Sequence, residues 1–220
     1  MTNVNSSTHI IYAPTAQDGQ AMIGGLIGCT GQLDGGTQKI NDCTVSGIIE
    51  NQTYAPWAMG GIVGSTGTKV DPLTELNNCT FSGTINYSYS TNTKGSRVGG
   101  MIGENGRQAT IDDCKFSGQI NAYMNSSTLP SNSYGIGGVV GRTTNSTTSG
   151  GKDYTMKCHI TNYTYSGTIT AYDAAATTWM GTCIGTDVGH PVTLVDGVRP
   201  LTTVTSYNFP GKTIQTASSD

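Results

Sequence analysis

Charge is the scarcest ingredient of this chain. Of its 220 residues 11 are Lys or Arg and 14 are Asp or Glu, so 11% are charged, less than half of the roughly 25% usual in a soluble domain. The net charge of -3 and the scatter of the cations leave no basic patch, and the aromatics are not interleaved with cations, so nucleic acid is not an expected partner. Histidine is nearly missing. His9, His159 and His190 are the only three, none stands at ligand spacing from a cysteine pair, and no metal or other cofactor is expected. Long apolar runs are missing too, since no stretch approaches the roughly 20 residues of a spanning helix, and membrane insertion is not expected. The opening "MTNVNSSTHI" has neither a charged n-region nor an apolar h-region. An exported form would then be a mature piece of a longer product, or would leave the cell by another route, inside a virus particle for example.

Glycine is abundant instead, with 31 residues, and Thr, Ser and Asn dominate the rest. That is a composition of strands and turns. The glycines fall in a pattern: "GGLIG" at 24–28 returns as "GGIVG" at 60–64, "GGMIG" at 99–103 and "GGVVG" at 137–141. Each is followed by a second block, "INDCTVSGII" at 40–49, "LNNCTFSGTI" at 76–85, "IDDCKFSGQI" at 111–120 and "ITNYTYSGTI" at 160–169. A degraded fifth glycine block, "MGTCIG", covers 180–185, as expected of a terminal unit. From Gly25 to Gly61, Gly100, Gly138 and Thr182 the spacings are 36, 39, 38 and 44. Such periods without helical spacing of apolar residues predict a β-solenoid.

Within the second block Cys43, Val45, Gly47 and Ile49 alternate with Thr44, Ser46 and Ile48, and the later copies do the same. Alternation at period two means a strand with one face in the core. The period breaks at Asp42, Asn78, Asp113 and Asn162, residue types that tolerate the left-handed region and bond nearby backbone, so a corner is expected there. Each unit then supplies three short strands: the glycine block, a piece ending at the corner, and the Cys-to-Ile piece. Three strands closing one coil make a rung of a parallel β-helix, with equivalent strands about 4.8 Å apart. Two smaller coils per unit is the alternative.

The pairing of Gly-Gly-apolar-apolar-Gly with a downstream block of the form I-x-N-C-x-x-S-G-x-I resembles the GLUG repeat of large bacterial surface and secreted proteins, many of them adhesin-like. The resemblance covers about residues 22–185, and it implies a β-helical scaffold rather than a particular activity. Tyr163 in place of Cys, and Thr182 in place of Gly, depart from the pattern as capping units would.

The chemistry-bearing residues are read against this scaffold. Cys43, Cys79 and Cys114 share one inward position, and a stack of buried thiols explains them without bridges, because in-register side chains lie parallel. The glycine blocks run into Cys29, Ser65, Glu104 and Arg142 rather than the Gly-Lys-Ser/Thr of a phosphate loop. Asp112 and Asp113 are adjacent carboxylates, yet Asp113 shares its row with Asp42, Asn78 and Asn162, and an acid that exchanges with Asn suits a polar corner better than catalysis. The outward rows Thr80, Ser82, Thr84 and Thr164, Ser166, Thr168 would suit an ice-binding lattice, but Lys115, Ser117, Gln119 and Ile48 interrupt it. No enzyme is expected.

The strongest functional hint lies between the units. Segments 50–58, 86–97, 121–135 and 170–179 carry Tyr54 and Trp57, Tyr87 and Tyr89, Tyr123 and Tyr134, Tyr172 and Trp179. Equivalent insertions of a solenoid emerge along one edge, so these eight rings would form one surface for a glycan or a protein. The alternative is that several fold back over the coil. The insertion 142–157 at another corner is small and polar, either a mobile loop or a second contact site.

The expectation is therefore an all-β chain, a right-handed parallel β-helix of about five rungs, forming one domain over 1–220. A cap at 1–21 would precede repeat units at 22–49, 59–85, 98–120 and 136–169, with a degraded unit and cap at 180–220. Function is expected to be non-enzymatic binding, extracellular or at a bacterial cell surface, to a glycan or a surface protein. The rival is a structural subunit of a phage fibre or extracellular filament, located in a virion in the first case and self-associating end to end; a polysaccharide-degrading enzyme is the third reading.

Overall fold

A computed structural model of the chain describes residues 1–16, 20–30, 36–67, 73–89, 97–106, 108–124, 135–143, 147–149, 152–154, 158–171, 180–181, 183–187, 190–191, 202–205 and 214–216. The described residues are strands and turns. The chain opens with β1 (Asn5–Ser6) and β2 (His9–Tyr12). The first complete coil is β3 (Met22–Gly24), β4 (Ile27–Cys29), β5 (Thr37–Asn41), β6 (Thr44–Val45) and β7 (Ile48–Asn51). The second repeats it as β8 (Ala58–Gly60), β9 (Val63–Ser65), β10 (Leu73–Asn77), β11 (Thr80–Phe81) and β12 (Thr84–Tyr89). The third is β13 (Arg97–Gly99), β14 (Ile102–Asn105), β15 (Gln108–Asp112), β16 (Lys115–Phe116) and β17 (Gln119–Met124). The fourth holds β18 (Gly135–Gly137), β19 (Val140–Thr143), a hairpin of β20 (Thr147–Ser149) and β21 (Lys152–Tyr154), then β22 (Cys158–Thr161), β23 (Thr164–Tyr165) and β24 (Thr168–Ala171). The last comprises β25 (Met180–Gly181), β26 (Ile184–Asp187), β27 (His190–Pro191), β28 (Thr202–Thr205) and β29 (Ile214–Thr216).

Equivalent strands pair in parallel and in register. Ile23, Met59, Val98, Ile136 and Met180 form one file, as do Ile40, Leu76, Ile111 and Ile160. The fold is a parallel β-helix with one coil per repeat. It has five sheets along its length rather than three, because a bend at the second glycine divides each glycine block and another at the Ser-Gly pair divides each Cys-to-Ile piece. The corner falls at the expected residues: Asp42, Asn78, Asp113 and Asn162 have φ of 54°, 49°, 50° and 51°.

The first twelve residues are more than a cap. Thr2 pairs with Asn41, Asn5 with Thr44, and Ile10 with Ile49, and Asn3 takes the corner at φ 59°. They are the second half of a further coil, disguised because Val4 stands at the cysteine position and Thr8 at that of Gly47.

The core is a set of files running along the axis. Ile49, Ile85, Ile120 and Ile169 make one. Phe81, Phe116 and Tyr165 make another, with ring centroids 5.9 and 5.3 Å apart and the rings stacked. Against it lies the middle glycine of each block: a Cβ on Gly61 would stand 2.5 Å from Cγ of Phe81 and 2.1 Å from the carbonyl oxygen of Gly100. The outer glycines serve a different contact. A Cβ on Gly60 would meet the Val63 oxygen at 1.8 Å, and one on Gly64 the Gly28 oxygen at 2.5 Å. The two strands of each block thus lie backbone against backbone, a spacing that any side chain would force open.

Candidate functional site

Cys43, Cys79 and Cys114 are buried free thiols in successive coils, as expected. Each donates to the carbonyl two residues before it, Asn41, Asn77 and Asp112, at 3.1–3.3 Å. Burial pushes the Cys43 thiol up, whereas the side-chain interaction between Cys79 and Cys114 draws Cys79 down to about 7 and holds Cys114 well above the usual range. Tyr163, fourth in the row, is buried and donates to the Gly138 carbonyl at 3.1 Å. The row fills and pins the core.

Of the adjacent carboxylates, that of Asp112 is likewise tied into the stack. Asp112 accepts hydrogen bonds from the Thr161 hydroxyl and, at 3.0 Å, from Nδ2 of Asn162 in the next coil. One coil away in the same rows Asn77 donates to Asn41 at 2.9 Å and Asn78 to Asp42 at 2.7 Å. Acid and amide exchange here because either can accept from the amide above it. Among the described residues no group of three His, Cys, Asp or Glu is arranged to hold a metal ion.

The aromatic edge is where the structure departs from expectation. Tyr87 is a core residue with no exposed surface, so its place among contact residues is corrected. The period-two alternation does not stop at Ile85: β12 continues to Tyr89, and Tyr87 is buried, paired with the small Ala122 of β17. The segments 86–97, 121–135 and 170–179 accordingly begin as strand, up to Tyr89, Met124 and Ala171. Trp57 is half-buried and committed within the protein. Its indole N–H donates to Glu104 at 2.5 Å, and the Arg97 guanidinium lies 3.5 Å from its ring centroid. Arg97 and Arg142 flank Glu104 at 3.6 and 3.7 Å. Burial draws Arg97 down to about 10, against the upward pull of Glu104. This Trp-Arg-Glu-Arg cluster joins three coils and was not legible in the sequence, because its members come from different strands with no motif spacing.

What stays outside is a smaller surface on the sheet that contains β7, β12, β17 and β24. Tyr123 is 43% exposed, opposite Ser88 on the neighbouring strand. Beside it a polar ladder crosses three coils: Asn121 donates to Asn86 at 2.9 Å and Asn86 to Glu50 at 3.5 Å. His9 lies 3.4 Å from Glu50, whose carboxyl is held below the ordinary range chiefly by the hydrogen bond from Gln52. Ile11 and Ile48 are exposed on the same face. Tyr54 is half-buried just after β7. Tyr134, Tyr172 and Trp179 lie outside the described residues, as does the side chain of Tyr89. The insertion 142–157 carries the antiparallel pair β20–β21. No helix among the described residues is long and apolar enough to cross a membrane.

Comparison with known proteins agrees with this architecture. Residues 55–86 match the family model of the GLUG motif. No curated protein matches the chain. A solved structure from Bacteroides ovatus, described as "a putative immunoglobulin A1 protease", is similar at 17% identity with a TM-score of 0.56, over 94% of this chain and 56% of that one. The chain thus spans little more than half the length of that protein, and the likeness is one of fold.

Proposed function

We propose that this GLUG-repeat β-helix is a non-catalytic binding module, acting outside the cell or on a bacterial surface, that presents aromatic side chains on one flank to a glycan or a protein. The observation that carries the reading is Tyr123, exposed beside the Glu50–Asn86–Asn121 ladder. A flat ring next to a file of amide and carboxylate groups offers stacking area and hydrogen bonds together, with little conformational entropy to lose. The non-catalytic part is supported by the uses of three acids: Asp112 and Asp42 accept amides between coils, and Glu104 is held by Trp57 between two arginines.

Probing a glycan array and a panel of surface proteins tests it. Saturable binding to at least one of them, weakened about tenfold or more in Tyr54→Ala/Tyr123→Ala, is the expected result; binding that survives both changes would sink the contact surface. The description of the Bacteroides ovatus protein raises a proteolytic reading. Incubation with immunoglobulin A1 and with casein decides it: intact substrates are expected here, and specific cleavage fragments would overturn the non-catalytic assignment.

A further inference from the structure

The charges of the Trp57–Arg97–Glu104–Arg142 cluster do not balance. Two guanidinium groups share one carboxylate, and among the described residues no other acid pairs with either of them. The connectors that lead into β8, β13 and β18, residues 52–57, 90–96 and 125–134, contain no Asp or Glu. Asp187, on the strand next to β19, stands in register with Thr143 rather than with Arg142. One positive charge is thus left over in a place nearly closed to bulk water, since the Arg97 side chain is 1% exposed and that of Arg142 13%. The hydrogen bonds do not balance either. Nε and Nη1 of Arg97 and Nε of Arg142 are buried without an acceptor. Glu104 does not serve them: Oε2 accepts the Trp57 indole N–H, and Oε1 lies 3.6 Å from Nε of Arg97 and 3.7 Å from Nη1 of Arg142, beyond hydrogen-bond length for both. Both guanidinium groups face that one oxygen, so their open N–H groups flank the same spot. Nearly every buried donor of a folded protein has a partner, and three without one call for a ligand.

We propose that Arg97 and Arg142 hold a single small anion of the halide class beside Glu104. Its charge follows from the excess, which one negative charge neutralises. Its size follows from the burial, because the open N–H groups have almost no exposed surface and leave no room for a sugar, a phosphate or a carboxylate. A water molecule suits the size but not the chemistry. It brings two protons of its own to a spot crowded with donors and cancels no charge, whereas a halide accepts from every N–H around it. The indole of Trp57 covers one face of the Arg97 guanidinium at 3.5 Å, which leaves the N–H groups in its plane to meet the ion. Burial draws Arg97 down to about 10 against the pull of Glu104, and the charge of Arg142 adds to that depression, as befits a cation short of counter-charge. Since Arg97 and Glu104 belong to the third coil and Arg142 to the fourth, the ion ties one coil to the next.

The test is urea unfolding of the whole chain at constant ionic strength, with sodium gluconate replaced stepwise by sodium bromide, beside a bromide anomalous-difference map of the crystal. The folding equilibrium constant should rise about tenfold or more over the series, as mass action requires of a ligand bound by the native state alone. The map should place one bromide between Arg97 and Arg142. In Arg97→Met one cation faces one carboxylate, so this variant should stay folded in gluconate and gain nothing from bromide. Arg142→Met should behave in the same way, which keeps the comparison open if either variant fails to fold. A wild type indifferent to bromide, a gain that persists in a folded variant, or a map with water instead of bromide at this spot would each overturn the proposal.

Discussion

A single carbon atom separates a workable coil from an unworkable one at the second glycine of each repeat. Gly61 faces the Phe81 ring on one side and the Gly100 carbonyl on the other, and backbone cannot yield as a flexible side chain would. Gly61→Ala should therefore cost about 2–3 kcal/mol, at the upper range for overpacking, read as a lower urea midpoint at unchanged slope. The buried charges give a second residue-scale contrast. Glu104→Ala leaves Arg97 and Arg142 without their counter-charge and Trp57 without its acceptor, so a loss of about 3–5 kcal/mol is expected. Arg97→Met removes one of two cations and keeps apolar bulk against Trp57, so about 1 kcal/mol or less should be lost in the same denaturation series. Thiol accessibility is a third. Native protein treated with iodoacetamide should carry label on half-buried Cys29, with Cys43, Cys79, Cys114, Cys158 and Cys183 modified only after unfolding, as peptide mass spectrometry would show.

At the scale of the element, the corner is the feature most plainly written in the chain. Asn and Asp are the side chains that best tolerate positive φ after glycine, and the change of period at Asp42, Asn78, Asp113 and Asn162 located the turn without any structure. Asn78→Gly should hold stability within about 1 kcal/mol, while Asn78→Val, β-branched at φ 49°, should lose about 1–3 kcal/mol in thermal or urea unfolding. Other elements were less legible for identifiable reasons. The bend that splits each glycine block leaves no mark in hydropathy, since the residues on both sides of it are apolar. The strand through Tyr87 is masked because its outward residues Asn86 and Ser88 resemble loop composition, although the inward sequence Ile85, Tyr87 keeps the alternation. The half-coil at 1–12 lost the Cys and Gly that mark the other copies, and only its pairing with β6 and β7 identifies it.

Across the whole molecule, repetition separates what holds the coils together from what differs between them. The inward files keep apolar or aromatic residues and the blocks keep their glycines from unit to unit, as stacking in register requires. Differences concentrate on the flank that carries Tyr123 and the Glu50–Asn86–Asn121 ladder, and in the segments after β7, β12, β17 and β24. Of the rings expected on that flank, Tyr87 packs inward and Trp57 is bound to Arg97 and Glu104. The proposed binding resides on this flank and is separable from the fold. Tyr123→Ala measured on one glycan array and in one urea titration beside the wild type tests it most directly. Binding reduced about tenfold or more with the unfolding midpoint unchanged is the expected result; undiminished binding by a Tyr123→Ala chain of native stability would sink the proposed contact surface.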